Sequence, residues 1–150
     1  SEYSKKIIGI KEASGNPNRV LELRKKIKRD FLIISGDDLT MIDAIRNGAD
    51  GIISVAANAF PSIMSDSYLS LLWEEEKNKP NVIELLPKVD KSNFILNDFF
   101  NLIFEEGNPA GIKFALKCLN LCSDKVRLPL TEISNDLKLK ISDFMSKTKV

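Results

Sequence analysis

The first half of the chain repeats one pattern: an apolar run rich in β-branched residues, a turn, and an amphipathic segment. The apolar runs cover residues 7–13, 31–36 and 51–56, and runs of this kind predict buried strands. Strands that are apolar on both faces and alternate with helices are typical of parallel sheets covered by helices. The starts of the runs lie about 20 to 24 residues apart, which compact βα units allow. Barrels and open doubly wound sheets both fit this pattern.

Turn residues bound the predicted helices of this half. Asn16 can cap a helix whose first residue is Pro17, where the fixed φ of proline suits a helix start. Asp37 or Asp38 can cap the next helix, and Gly48 is a natural end for it.

After residue 80 the strand pattern stops, and the chain reads as helices. After the third apolar run, helices are predicted over residues 61–79, 82–104, 110–121 and 131–147. Pro87 either kinks the second of them or lies in its first turn. Residues 126–130 are expected to be extended, because the residue before a proline avoids helix. We therefore expect two parts, residues 1–80 with the strands and residues 81–150 with helices alone.

Charge and composition narrow the classes of partner and of chemistry. Lys and Arg (22) and Asp and Glu (21) nearly cancel, and the net charge of +1 gives no argument for nucleic acid or an anionic membrane. No apolar run has the length of a membrane span, and the first residues do not resemble a signal peptide, so we expect a cytoplasmic protein. Without His, acid–base chemistry at neutral pH must use Lys, Tyr, carboxylates or water.

The two cysteines, Cys118 and Cys122, do not suffice for a thiolate metal site in a chain without His. We expect neither a metal nor a cofactor. The two residues lie four apart in an apparent helical segment, where they could approach each other. Because free Cys is often buried, we expect both to be reduced packing residues.

Lys11 is the residue that the apolar pattern does not explain. It interrupts the first predicted strand, beside the loop that follows, and ligands in parallel α/β folds bind at the carboxyl ends of strands. A lysine there is partly desolvated, which lowers its pKa and frees the amine to attack carbonyls. The structural alternative is a lysine whose stem lies along apolar surface while its ammonium pairs with Glu12 or another carboxylate.

The other two strand ends are compatible with a binding site. Gly36 and the backbone amides of Ser35–Asp38 could receive a carboxylate, although a tight turn with a helix cap explains the same residues. Small residues over 54–58 leave room for a ligand, but they also permit close helix packing. Arg127 can bind a carboxylate or pair with a nearby acidic group.

Five motifs occur in an order that resembles one enzyme family. They are Gly9–Asn16 (GIKEASGN), Ser35–Asp38 (SGDD), Gly51–Asn58 (GIISVAAN), Glu106–Pro109 (EGNP) with Ile112–Lys113, and Arg127–Leu130 (RLPL). In this order they resemble the dihydrodipicolinate synthases (4-hydroxy-tetrahydrodipicolinate synthases), which are part of the N-acetylneuraminate lyase superfamily of pyruvate-dependent aldolases. The resemblance extends over essentially all 150 residues. It implies an α/β fold, a (β/α)₈ TIM barrel, of which this chain resembles strands six to eight followed by the C-terminal helical region.

The resemblance also implies a reaction. Lys11 would form an imine with pyruvate, and the enamine would attack aspartate semialdehyde, in the biosynthesis of lysine and diaminopimelate. The backbone around Gly36 and Ile53 would contact the part derived from pyruvate. The family implies a homo-oligomer, a tetramer. The motifs favour this branch over N-acetylneuraminate and sugar-acid lyases, which remain the enzyme alternative.

One departure from the family pattern limits these expectations. The family's proton-relay tyrosine and hydroxyl, and the arginine that holds its second substrate, belong to the first five βα units. Tyr3 and Tyr68 do not match those positions. Three strands cannot close a barrel, and both edges of the sheet would be open. We expect the 150-residue chain by itself to be inactive and prone to aggregate, and an assembly fragment without chemistry is the non-enzyme alternative.

Overall fold

The computed structural model describes residues 4–28, 30–76 and 89–148, without the side chains of residues 73–76 and 89–95. These residues divide into two compact units. The first contains the described residues of 4–55 together with 68–76, and the second contains 56–67 together with 89–148.

The first unit is a three-stranded parallel sheet with helices. Its strands and helices are β1 (Gly9–Glu12), α1 (Pro17–Lys26), β2 (Leu32–Ser35), α2 (Met41–Arg46) and β3 (Gly51–Ile52). The strand order is β1-β2-β3, and all neighbours are parallel. Each strand is shorter than its apolar run, but the predicted α/β class and the parallel pairing of the three strands are confirmed.

One face of the sheet is covered by α1 and α2. Ile33 is fully buried there in a cluster with Val20, Ala44 and Ala49. Ile10 pairs with Ile33 in the parallel register, and side chains alternate between faces along a strand. The residues next to Ile10 in β1 and next to Ile33 in β2 therefore project from the other face of the sheet, the one opposite the buried cluster.

The prediction that the first strand is buried on both faces is wrong. Ile8 is 64% exposed and Ile10 is 44% exposed. Among the described strands β1 pairs only with β2, so β1 is an edge of the sheet. An edge strand has neighbours on one side alone, and its apolar side chains remain in contact with water.

The start of α1 follows the sequence prediction. The side chain of Asn16 accepts a hydrogen bond from the backbone N–H of Asn18 at 3.1 Å, and Pro17 is the first helical residue. At the end of α2, Gly48 has a φ of +97°, the left-handed conformation that glycine adopts most easily.

The entry to α2 differs from the prediction of a cap at Asp37 or Asp38, because the helix begins at Met41 and Thr40 is its N-cap residue. The carboxylate of Asp37 accepts hydrogen bonds from the N–H of Thr40 at 3.0 Å and from its hydroxyl at 2.7 Å. Asp37 thus holds the chain just before the helix. Asp38 does not act as the cap, since its carboxylate accepts from the N–H of Val55.

An ion pair closes the amino-terminal ends of β2 and β3. Arg24 pairs with Asp50 and also donates to the carbonyls of Gly48 at 3.0 Å and Phe31 at 3.2 Å. The Asp50 carboxylate accepts from the N–H of Ile33 at 2.8 Å. These bonds fix the strand starts, at the opposite end of the sheet from the loops that follow the strands.

The second unit is helical. It contains a 3₁₀ turn (Ala56–Asn58), the first turns of α3 (Pro61–Glu76), α4 (Val89–Phe104), α5 (Ala110–Cys118) and α6 (Asn135–Lys147). Helices α4, α5 and α6 contact one another. Phe99 lies at their centre, edge-on to Phe60 at a centroid distance of 4.7 Å and stacked on Phe144 at 5.5 Å.

A close approach brings α5 against α4. A Cβ placed on Gly111 would lie 2.2 Å from the backbone oxygen of Ile103. Real Cβ atoms do not approach an oxygen so closely, so only glycine fits at this crossing. Gly107, which precedes α5, has a φ of +99° and turns the chain between the two helices.

Several predicted helix boundaries move in the second unit. Helix α5 ends at Cys118 and α6 begins at Asn135, after an N-cap at Ser134. Cys122 therefore lies outside the helix and is exposed, so its prediction as a packing residue is wrong. Pro87, expected to kink or open a helix, falls outside the described residues.

None of the helices in the described ranges combines the length and the apolar character that a membrane crossing requires.

Candidate active site

The carboxyl ends of the three parallel strands lie side by side at the same end of the sheet. The ladder continues past the strands, since Gly36 N donates to Glu12 O at 2.8 Å and Ile53 N donates to Ser35 O at 2.9 Å. These bonds bring together the ends that carry Lys11, Gly36 and Ile53. All three residues belong to the first unit.

Lys11 projects from the sheet face opposite the buried cluster around Ile33. It pairs with Ile34 in the parallel register, one position beyond the Ile10–Ile33 pair. Its side chain is exposed, so the partial desolvation expected from the sequence is not found in this chain. Within the described part of the chain, its ammonium has no ion pair or hydrogen bond. A primary amine at a strand end can attack a carbonyl carbon once it has lost its proton.

Glu12 does not pair with Lys11. Its carboxylate is 3.4 Å from Nε of Arg19 and accepts a hydrogen bond from the N–H of Ser14 at 3.2 Å. Adjacent residues in a strand point to opposite faces, which separates the two side chains. The pairing of Glu12 with Lys11, expected from the sequence as the structural alternative, is therefore not found, because Glu12 is bound to Arg19 and Ser14.

Gly36 lies directly beside the stem of Lys11. A Cβ built on Gly36 would be 2.5 Å from Cε of Lys11, 3.1 Å from its Cγ, and 2.7 Å from Cβ of Ala13. The aliphatic part of Lys11 therefore crosses the bare Cα of Gly36. A residue with a side chain would overlap with it.

The end of β3 is held in place by a buried carboxylate. Asp38 is 2% exposed, and its Oδ2 accepts a hydrogen bond from the N–H of Val55 at 2.9 Å. Val55 lies two residues after Ile53, which is 55% exposed. Sequence reasoning missed this role for Asp38. The sequence does contain a signal for it: two aspartates follow the strand in succession, and a helix cap uses only one of them.

Other candidate residues have structural surroundings. The hydroxyl of Tyr68 donates to the Asp50 carbonyl at 2.8 Å, and burial, with the charge of Asp50, raises the pKa of this phenol. Ala56 is buried at the start of the 3₁₀ turn. Arg127 is exposed, and no ion pair to it is found within the described ranges, so the expected local partner is not seen.

Comparisons of the sequence identify a family. The chain matches the model of the dihydrodipicolinate synthetase family over residues 2–148. It is 43% identical over 136 residues to the 4-hydroxy-tetrahydrodipicolinate synthase of Karelsulcia muelleri (strain GWSS), covering 90% of this chain and 43% of that protein. It is 32% identical over 144 residues to the synthase of Archaeoglobus fulgidus, covering 96% of this chain and 46% of that protein. The resemblance drawn from the five motifs is thus confirmed.

Solved structures agree with the sequence matches. The crystal structure of dihydrodipicolinate synthase from Aquifex aeolicus superposes with a TM-score of 0.83 at 29% identity, over 97% of this chain and 46% of that one. The 4-hydroxy-tetrahydrodipicolinate synthase from Methylacidiphilum fumariolicum SolV gives a TM-score of 0.81 at 30% identity, over 97% and 45%. The chain spans less than half the length of these relatives.

Proposed function

Because this chain belongs to the dihydrodipicolinate synthetase family, we propose that it carries the imine-forming lysine of a synthase that condenses pyruvate with aspartate semialdehyde. The observation that supports the proposal most directly is the position of Lys11. Its amine has no partner among the described residues, and it projects from the carboxyl end of a parallel strand, where such folds bind ligands. The reaction would serve the biosynthesis of lysine and diaminopimelate.

The proposed chemistry begins at Nζ of Lys11. The neutral amine attacks C2 of pyruvate, and loss of water gives an imine whose protonated nitrogen withdraws electrons from the carbon chain. Loss of a proton from C3 then yields an enamine. The enamine carbon attacks the aldehyde carbon of aspartate semialdehyde, which forms the new carbon–carbon bond, and the aldehyde oxygen takes up a proton. Attack by the amino group of the semialdehyde part on the imine carbon closes the ring and releases Lys11.

Gly36 and Ile53 are proposed to contact the pyruvate-derived part through their backbones. Gly36 follows β2, which pairs with the strand of Lys11, and Ile53 follows β3, which pairs with β2. The N–H groups of both residues already bond to the neighbouring strand. Within the described residues no hydrogen bond to their carbonyls is found, so these oxygens are left to accept one from the pyruvate-derived part.

The finer architecture is also part of the proposal. We assign β1, β2 and β3 to strands six to eight of a (β/α)₈ barrel, residues 1–80 to the barrel part and residues 81–150 to the C-terminal helical region. Superposition on barrel enzymes over 97% of this chain supports the assignment. A homotetramer and a cytoplasmic location would follow from the family.

Trapping of the imine tests the function. We expect that incubation with pyruvate followed by borohydride reduction adds a reduced pyruvate group to Lys11, in preference to exposed lysines such as Lys25. Peptide mass spectrometry locates the adduct. The matched control is Lys11→Arg, which keeps the charge but cannot form the imine. An adduct spread equally over the lysines would contradict the proposal and favour a non-catalytic assembly role.

A second measurement separates the two enzyme candidates. In a complete assembly that also supplies the first five βα units of the family, aspartate semialdehyde added to the pyruvate imine should displace the adduct and give a cyclised product. If a sugar-acid aldehyde is used and the semialdehyde is not, the chain belongs to a sibling lyase activity.

A further inference from the structure

The glycines of the sheet differ in what surrounds them. At Gly36 an added Cβ would meet Lys11 and Ala13 at 2.5 and 2.7 Å. At Gly51, on the neighbouring strand, the nearest atom would be Cδ1 of Ile34 at 3.6 Å, which is an ordinary contact. Gly36 does not have the left-handed φ found at Gly15 and Gly48. A Cβ at position 36 would therefore displace the Lys11 stem and would also meet Cβ of Ala13, whereas the backbone conformation does not demand glycine there.

The position of Lys11 depends on this space. A lysine side chain has four rotatable bonds, and an exposed one samples many rotamers, so ordering it has an entropic cost. Contact with the Cα of Gly36 on one side removes some of these rotamers. The stem then leads along the carboxyl edge of the sheet, toward the proposed substrate contacts at the ends of β2 and β3.

We propose that Gly36 is a positioning residue for Lys11, in addition to any backbone contact with substrate. Its bare Cα is the surface on which the Lys11 stem lies, and this contact sets where Nζ meets a carbonyl. The consequence for catalysis depends on the proposed imine chemistry, whereas the steric contact does not. A misplacement of the reacting nitrogen by about 1 Å is enough to slow such a reaction severely.

Gly36→Ala tests the proposal against Gly51→Ala as the matched control. Both add one methyl to adjacent strands, but only the first overlaps with Lys11. In the unsubstituted protein we expect a nuclear Overhauser effect between the ε-methylene protons of Lys11 and the α-protons of Gly36. This signal should persist in Gly51→Ala. Its absence in the unsubstituted protein, with both residues assigned, would overturn the proposal.

Imine trapping gives the functional readout. We expect the rate of pyruvate trapping on Lys11 to fall about tenfold or more in Gly36→Ala and to stay within about twofold in Gly51→Ala. A purely substrate-binding role would be overcome at saturating pyruvate, whereas a displaced amine stays slow. Equal maximal rates in Gly36→Ala and the unsubstituted protein would overturn the positioning role.

Two further arms keep the outcomes separate. If Gly36→Ala does not fold, Gly36→Ala combined with Ala13→Gly removes the overlap with Ala13 and leaves only the one with Lys11. If the unsubstituted protein forms no pyruvate adduct, the proposed function fails. Formaldehyde with borohydride, which forms imines on any lysine, then decides the positioning role. The positioning role is supported if the ratio of labelling at Lys11 to labelling at Lys25 shifts at least threefold in Gly36→Ala but not in Gly51→Ala. An unchanged ratio in Gly36→Ala overturns it.

Discussion

Glu106 holds the first residue before α6 with both oxygens of its carboxylate. Oε2 accepts a hydrogen bond from the N–H of Ser134 at 2.7 Å, and Oε1 accepts from its hydroxyl. The same hydroxyl accepts from the N–H of Leu137 at 3.2 Å, as an N-cap does. These bonds from Ser134 lower the pKa of Glu106 below its ordinary value of 4.5, against a smaller opposing effect of desolvation.

This lowered pKa predicts how stability depends on pH. A carboxyl whose pKa is lower in the folded state contributes stability above its unfolded pKa, near 4.5, and loses that contribution as pH falls through the folded pKa. We expect Glu106→Gln to lower the free energy of unfolding at pH 7. The difference from the unsubstituted protein should shrink as the pH drops below 4.5.

Urea unfolding followed by circular dichroism at several pH values measures this difference. Glu105→Gln is the control, because Glu105 forms an ion pair with Lys140 at 2.7 Å. The hydrogen bonds that Ser134 donates go to Glu106 and not to Glu105. A Glu106→Gln penalty that is the same at pH 3 and pH 7 would contradict the assignment.

At the residue scale the sequence identifies the unusual position but not its surroundings. Lys11 can be singled out because a lysine interrupts an apolar run. That Glu12 binds Arg19 could not be read from the sequence, since it depends on how α1 lies against the end of β1. The contact between Lys11 and Gly36 has the same origin, because the register of two strands brings together residues 25 positions apart.

At the scale of elements, Asp38 connects the loops that follow β2 and β3. A buried carboxylate is costly to desolvate unless it is hydrogen-bonded, and the Oδ2 atom of Asp38 accepts from the N–H of Val55. The bond fixes the backbone just beyond Ile53. Asp37, its neighbour, instead holds Thr40 at the entry to α2.

We expect Asp38→Ala to loosen the end of β3. It removes the carboxylate oxygen that accepts from the N–H of Val55, and we expect this to cost about 1 to 3 kcal/mol of the free energy of unfolding. Hydrogen exchange at Val55 should accelerate accordingly. Asp38→Asn retains an acceptor oxygen and should recover most of the protection.

Asp37→Ala is the matched control for this substitution. It should accelerate exchange at Thr40 and leave Val55 protected, because Asp37 does not bond to the loop after β3. If Asp38→Ala left the exchange of Val55 unchanged, the link between the two loops would be refuted.

Element boundaries were predictable where a local signal sets them. Asn16 with Pro17 starts α1, and Gly48 follows the end of α2, because capping and the left-handed turn depend on the residues themselves. The start of α6 was placed too early, at Thr131. Its true N-cap, Ser134, is selected by Glu106, which lies 28 positions earlier in the sequence. Contacts of this kind have no local signature.

At the scale of the whole molecule, the family and the α/β class could be predicted from five short motifs in order. The sequence patterns could not separate a barrel from an open sheet, because both consist of the same βα units. Exposure of the first strand also depends on how many strands lie beside it. Within the described residues β1 and β3 each pair along one side only.

These open edges predict the behaviour of the isolated 150-residue chain. An unpaired edge with exposed apolar side chains is a template for pairing with another chain. We expect the chain to self-associate at micromolar concentration in sedimentation velocity, and Ile8→Lys to shift it toward the monomer. Leu139→Lys is the control, since Leu139 is 71% exposed and lies on α6, a helix of the second unit.

The same chain should form the pyruvate imine but give no turnover with aspartate semialdehyde. The resemblance assigns the proton-relay tyrosine, its hydroxyl partner and the arginine for the second substrate to βα units that this sequence does not match. Lys11 then provides the covalent attachment without the groups that move protons around it. Robust product formation by the monomeric Ile8→Lys chain would contradict this prediction, because it would show that these 150 residues supply the whole machinery. Imine formation without product, in the same sample, is the expected result.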